Sequence, residues 1–270
     1  MSKVGTLQLD GYSCAVMVQG VRPAAAQEAA GSCKGACPVR KEQNMKYELL
    51  GDNFPAVRCI LSKGETIRCE GGSMSWMDQG LTMKTEGGGG LGKALGRMFS
   101  GESIFFNEFT CEKDQGEIVF SSSYPGKIIP VELSEGKSII AQKHAFLAAT
   151  KGVNVEMHFK KSLGKGLFGG MGFIMQKFSG NGVVFLEIDG GYVEYDLGPD
   201  DVKLIDAPHL AMMDSTCTMD LEKVKGAKNV ILGGEGLFNT RIQGPGRVWI
   251  QTMPIATLAM NLYDYMPKSD

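Results

Sequence analysis

Several absences narrow the chemistry open to this chain before any motif is sought. Histidine occurs only at His144, His158 and His209, and the patterns HxH, HExxH and DxDxDG are missing. That removes the usual sequence signatures of zinc and calcium sites. The GxSxG nucleophile elbow is missing too, which excludes a common hydrolase signature. Neither sign of charge dominates: 28 basic residues stand against 30 acidic ones, for a net charge of −2. Such a balance gives no general attraction to nucleic acid, and no basic–aromatic interleave recurs along the chain. Nucleic acid is therefore not the expected partner. No stretch approaches 18 consecutive apolar residues, so no transmembrane helix is expected. The start MSKVGTLQLDG lacks the basic region and apolar core of a secretory signal. The seven cysteines form no regular framework, and free thiols in a reducing compartment, the cytoplasm, are expected. Cys33 and Cys37 are four apart with only a distant Cys14 and no nearby histidine. Four well-spaced zinc ligands are lacking, so these are read as ordinary thiols, with no metal and no cofactor.

Glycine is plentiful, at 37 residues without a collagen period, while proline is held to 10. Glycine-rich turns between many short strands give that profile. The stretch 136–197 has approximate counterparts on both sides. A shift of 72 residues lays Gly64, Glu65 and Ile67 on Gly136, Lys137 and Ile139, and LGKAL at 91–95 on LGKGL at 163–167. A shift of 64 or 65 lays His144 on His209, and FSGNGVVFLE at 178–187 on IQGPGRVWIQ at 242–251. The expected architecture is all-β, with three pseudo-repeated β units around a common core and a short C-terminal helix. Units of this kind hide apolar faces against one another. Their boundaries are read as 45–133, 134–200 and 201–252. Residues 1–44 match no unit and read as a leader or loosely ordered arm; 253–270 read as the helix and tail.

Local patterns agree. VRCIL, TIRCE, NVEMHF and GGYVEYDL alternate apolar and polar residues around glycine turns, as half-buried strands do. VVFLEI is continuously apolar but for its glutamate. KHAFLAA at 143–149 reads as a strand by its match to SMSWMD and PHLAMMD, with a short helical turn as the alternative. Met74 and Trp76 read as one strand face, with the tryptophan in the core. Ile255, Leu258, Ala259 and Leu262 form a helical stripe between Pro254 and Pro267.

With the units side by side, the chain from Met45 onward resembles the AIM24 family, named for a mitochondrial member. The resemblance rests on MKYELLGDNFPAVRCILSKGETIRCEGGSMSWMD, ALGRMFSGESIFFNEFT, YPGKIIPVEL and GEGLFNTRIQGPGRVWIQTMP. It implies an all-β fold of three similar segments, TRAP-like and related to the double-stranded β-helix. It also implies a homo-oligomer, with a trimer favoured. One member is needed for normal mitochondrial organisation, but the family brings no residue-level activity, so no catalytic residue is assigned.

Two glycine-rich runs carry the candidate contacts. Gly87 to Ala94 satisfies the glycine and lysine part of a P-loop, but Ala94 stands where a magnesium-binding hydroxyl is required. The matching run LGKGL has Gly166 at that place. Nucleotide hydrolysis is therefore set aside. A weaker reading has Lys93, Arg97, Lys160, Lys161 and Lys165 holding phosphate or lipid head groups beside glycine-rich turns. Leu91, Leu95, Met98, Phe99, Leu163, Leu167 and Phe168 would supply apolar contact or a subunit interface. The functional expectation is a non-enzymatic binding or assembly protein. Peripheral attachment to anionic membranes through the two loops is the first alternative, and an enzyme site between units the second. Glu65, Glu70, Glu108 and Glu187 are read as solvated side chains, and His144 and His209 as equivalent packing or turn residues.

Overall fold

Alternating runs closed by glycine turns become strands throughout the computed structural model, which describes residues 45–86, 106–161, 172–223, 238–263 and 265. These belong to one compact unit within Cys37–Asp270; the reading of 1–44 as an arm lies outside the described residues. The protein is all-β with a single short helix among the described residues. The first strands are β1 (Lys46–Leu50), β2 (Ala56–Ser62), β3 (Thr66–Glu70), β4 (Met74–Met77), β5 (Leu81–Glu86), β6 (Phe106–Cys111) and β7 (Gln115–Ser121). The next are β8 (Gly126–Leu133), β9 (Ile139–Gln142), β10 (Phe146–Thr150), β11 (Val153–Lys161), β12 (Phe173–Gly180) and β13 (Gly182–Asp189). The last are β14 (Tyr192–Leu197), β15 (Val202–Asp206), β16 (Leu210–Asp214), β17 (Thr218–Lys223), β18 (Phe238–Gln243) and β19 (Gly246–Gln251), followed by helix α1 (Ile255–Tyr263).

Four sheets result. The first has order β1-β2-β7-β4, the second β5-β6-β3-β10-β13-β8, the third β11-β12-β9-β16-β19-β14 and the fourth β15-β18-β17. One pattern of antiparallel pairing recurs: β2, β8 and β14 pair with β7, β13 and β19, which also take β4, β10 and β16 on their other side. β3, β9 and β15 pair with β6, β12 and β18, which also take β5, β11 and β17. β8 thus sits with β13 rather than with the strands before it, and β14 sits with β19. Pro130 lies in β8 at the edge of the second sheet, where a missing N–H is tolerated.

The register irregularity recurs as well. Bulges fall between Met74 and Trp76, Phe146 and Ala148, and Leu210 and Met212. The bulge breaks the simple two-residue period, so Met74 and Trp76 do not share an environment. Met74 packs on the core while Trp76 is 51% exposed, against the expectation of a core tryptophan. The run 143–149 is a 3-10 turn, Lys143–Ala145, followed by β10; Ala207–His209 likewise precedes β16. β13 and β19 both open on a glycine at positive φ, Gly182 at 153° and Gly246 at 142°. A Cβ there would meet Thr150 Oγ1 at 2.0 Å or Thr216 Oγ1 at 2.5 Å, which excludes any side chain without rearrangement.

Among the described residues, three apolar cores separate the layers. Val57, Ile118 and Phe120 of the first sheet meet Phe109, Leu147 and Phe185 of the second. Phe146, Val184 and Leu186 of the second meet Ile139, Phe178 and Trp249 of the third. Met175, Met213 and Val248 of the third meet Ile205 and Ile242 of the fourth. Both faces of β13 are therefore covered, which its continuous apolar run anticipates. No helix among the described residues is long and apolar enough to cross a membrane.

Candidate functional site

The expected contact loops fall largely outside the described residues: Leu91, Lys93, Leu95, Arg97, Met98 and Phe99 in 87–105, and Leu163, Lys165, Leu167 and Phe168 in 162–171. Their anchoring strands are described. The run 87–105 joins β5 to β6, 162–172 joins β11 to β12, and 224–237 joins β17 to β18. At each mouth a residue pairs with a phenylalanine: Glu86 with Phe106, Lys161 with Phe173, Lys223 with Phe238. Lys160 and Lys161 close β11, and the Lys160 side chain is exposed.

A belt of buried polar groups lies where the strand sets join. Glu187 is buried on β13, and its carboxylate accepts the Ser123 N–H at 2.6 Å, the Ser122 hydroxyl at 2.8 Å and the Ser123 hydroxyl at 3.2 Å. Burial pushes this carboxyl above the ordinary glutamate range; the serine bonds oppose the shift and nearby Asp189 adds to it. Asp189, also buried, accepts the Ile255 N–H at 2.8 Å and holds the start of α1, with His144 Nε2 3.6 Å from the same carboxylate oxygen. Glu70 is raised by burial, with Lys143 and His144 working against that. Farther along, Gln251 accepts the Asp189 N–H at 3.1 Å and donates to the Pro208 carbonyl at 2.8 Å. The His209 Nδ1–H donates to the Gln251 carbonyl at 2.8 Å, and Gln142 Nε2 donates to the carbonyls of Pro208 and Leu210.

These contacts correct two sequence expectations. Glu108 and Glu187 are buried, not solvated: Glu108 pairs with Arg68 at 2.5 Å and Glu187 is held by two serines. A glutamate inside the run VVFLEI lies on a strand covered on both faces, so neither parity would reach water; that was the available signal. His144 and His209 are not equivalent either. Phe146 and Leu210 occupy corresponding register positions, opposite Leu186 and Ile250, so His209 sits one residue closer to its strand. Their partners differ accordingly. His158 is pushed down by partial burial and by Lys177.

The belt ties strand ends together, since its bonds run to backbone groups of neighbouring elements. Nucleophilic chemistry at Cys59, Cys69 and Cys217 is disfavoured: burial pushes Cys59 far up, Cys69 to about 12 and Cys217 to about 11. Their thiolate fraction at neutral pH is negligible. Among the described residues no cluster of three His, Cys, Asp or Glu side chains is placed to hold a metal.

Against this geometry, the family model described as "Mitochondrial biogenesis AIM24" matches residues 47–253, from β1 to the threshold of α1. The chain belongs to the AIM24 family. Among solved structures, an X-ray crystal structure of a Streptococcus pyogenes structural-genomics target is similar at 26% identity. It matches with a TM-score of 0.69, covering 83% of this chain and 100% of that one. No curated protein matches this chain. The AIM24 match spans all four sheets and the polar belt.

Proposed function

We propose that this AIM24 chain is a non-enzymatic binding or assembly protein that works as a homo-oligomer of three-unit chains. One observation carries the reading. Three of the four strand positions compared at the outer junctions are exposed where their inner counterparts are buried; the fourth, Ile205, stays in the core. Ala148, Ala149, Met212 and Met213 are buried on β10 and β16, whereas Trp76 and Met77, in the same places on β4, are exposed. Ile140 and Ala141 of β9 are buried, whereas Leu204 of β15 is 63% exposed. An exposed apolar sheet edge invites another chain. Sedimentation of the full chain tests this reading, with a multiple of the 29.1 kDa chain expected. The trimer implied by family resemblance is the multiple favoured. A monomer at every concentration would sink it.

Contact with anionic membranes is the second reading, favoured by exposed Lys160 at the mouth of the 162–172 connection. Basic residues near a charged bilayer each contribute about 1 kcal/mol. Flotation with anionic vesicles should be salt-sensitive and weakened by replacing Lys93, Arg97, Lys160, Lys161 and Lys165; no flotation at low salt counts against it. A reducing compartment, the cytoplasm, suits the buried thiols Cys59, Cys69, Cys111 and Cys217, and cell fractionation tests that placement.

A further inference from the structure

The second and third sheets share one plan, and the first and fourth hold its two separated halves. In the second sheet β3 pairs with β10, joining the half β5-β6-β3 to the half β10-β13-β8; in the third, β9 pairs with β16. The first sheet contains the half β2-β7-β4 and stops at β4, and the fourth contains the half β17-β18-β15 and stops at β15. Two six-stranded sheets lie between these outer layers. At about 10 Å per layer the two edges are far apart within one chain.

We propose that β15 of one molecule pairs antiparallel with β4 of a second copy, completing the six-strand plan of the internal sheets, with β1 added as a seventh strand beyond β2. This rests on the assembly reading above and names its partner and register. The internal junctions set that register. Ala148 pairs with Cys69 and Ala149 with Arg68; Met212 pairs with Ala141 and Met213 with Ile140. Trp76 and Met77 stand opposite Val119 and Ile118, as Ala148 and Ala149 stand opposite Phe185 and Val184. Ile205 and Leu204 stand opposite Thr240 and Arg241, as Ala141 and Ile140 stand opposite Gln176 and Lys177. Across the new junction Trp76 therefore meets Ile205, Met77 meets Leu204, and Asp78 meets Lys203.

The last pair joins opposite charges, directly across an antiparallel ladder, where such pairs stabilise and like charges repel. The same copy also covers apolar surface on β14. Val193 and Tyr195 are exposed, yet Ile129 and Val131, at the corresponding places on β8, pack on the core between the second and third sheets. The contact is heterologous, since each chain offers β4 to one neighbour and β15 to the other. Head-to-tail contacts of this kind close into rings or extend as filaments.

The test uses the full chain carrying Met77→Cys or Leu204→Cys, both at exposed positions. Mild oxidation of an equimolar mixture should give an intermolecular disulfide joining residues 77 and 204, identified by peptide mapping. Neither variant alone should link to its own kind at the new cysteine. Separately, Asp78→Lys should weaken self-association roughly tenfold or more, and adding Lys203→Glu should restore it. A self-link in either single variant would overturn the head-to-tail geometry. So would a link confined to monomers of the doubly substituted chain, which would mean closure within one molecule. An oligomer of unchanged mass with no 77–204 link overturns the proposed junction while leaving the assembly reading intact; a monomer overturns both.

Discussion

Replacing Glu187 separates two opposing forces on one buried carboxyl. Glu187→Ala removes the acceptor for the Ser123 N–H and the hydroxyls of Ser122 and Ser123. The hydroxyls can turn elsewhere, but the part-buried amide cannot. An unsatisfied buried donor costs about 1–3 kcal/mol, and the lost methylene adds about 0.8 kcal/mol. Glu187→Gln keeps an acceptor, and Gln251 already occupies the corresponding place on β19, opposite Tyr192 as Glu187 is opposite Ile128. Its cost should stay below about 1.5 kcal/mol. The two variants also differ in pH dependence. Burial raises the folded carboxyl above its unfolded value, so the unfolded chain ionises first as pH rises. Wild-type stability from this group therefore falls with pH from the ordinary glutamate range up through the raised value, then levels off. The glutamine variant lacks that slope. Urea unfolding between about pH 4 and pH 8 should show the penalty of Glu187→Gln shrinking as pH rises. A penalty that grows with pH would mean that the serine bonds, not burial, dominate the site.

Other substitutions probe the remaining layers. Phe185 is fully buried on β13 and meets Tyr47 edge-on at 5.0 Å, so Phe185→Ala should cost about 3–5 kcal/mol in chemical denaturation. Arg68→Ala strands the buried Glu108 carboxylate and should cost about 3 kcal/mol or more, whereas replacing both residues with apolar side chains should cost much less. Cys59, Cys69 and Cys217 should resist a thiol reagent at pH 7 in the folded chain and react after unfolding, as read by peptide mapping.

The all-β class was legible because VRCIL, TIRCE and GGYVEYDL carry the strand period, and the final helix because Pro254 and an apolar stripe mark it. Strand partners were less legible. Nothing local in YPGKIIPVEL says that β8 pairs with β13 across more than forty residues. The bulge beside Trp76 cancels the parity on which its placement in the core depended. Trp76 also stays exposed because β4 ends its sheet, whereas Ala148 and Met212 occupy inner positions. That difference comes from sheet order, not from the residues themselves. The polar belt escaped notice because Glu187, Asp189, His144 and Gln251 converge from separated strands and turns. The glycine-rich loops were conspicuous as sequence, yet of their predicted contacts only Lys160 and Lys161 reach the described strands.

Amide hydrogen exchange along β4 and β15, followed from dilute to concentrated full-length protein, tests the central claim most directly. A bare edge leaves alternate N–H groups to water, while the completed sheet pairs them. The account predicts that protection within Met74–Met77 and Val202–Asp206 rises together with concentration and is lost together in Asp78→Lys. Exchange on both strands that stays fast at every concentration, in a protein that nonetheless sediments as an oligomer, would contradict it.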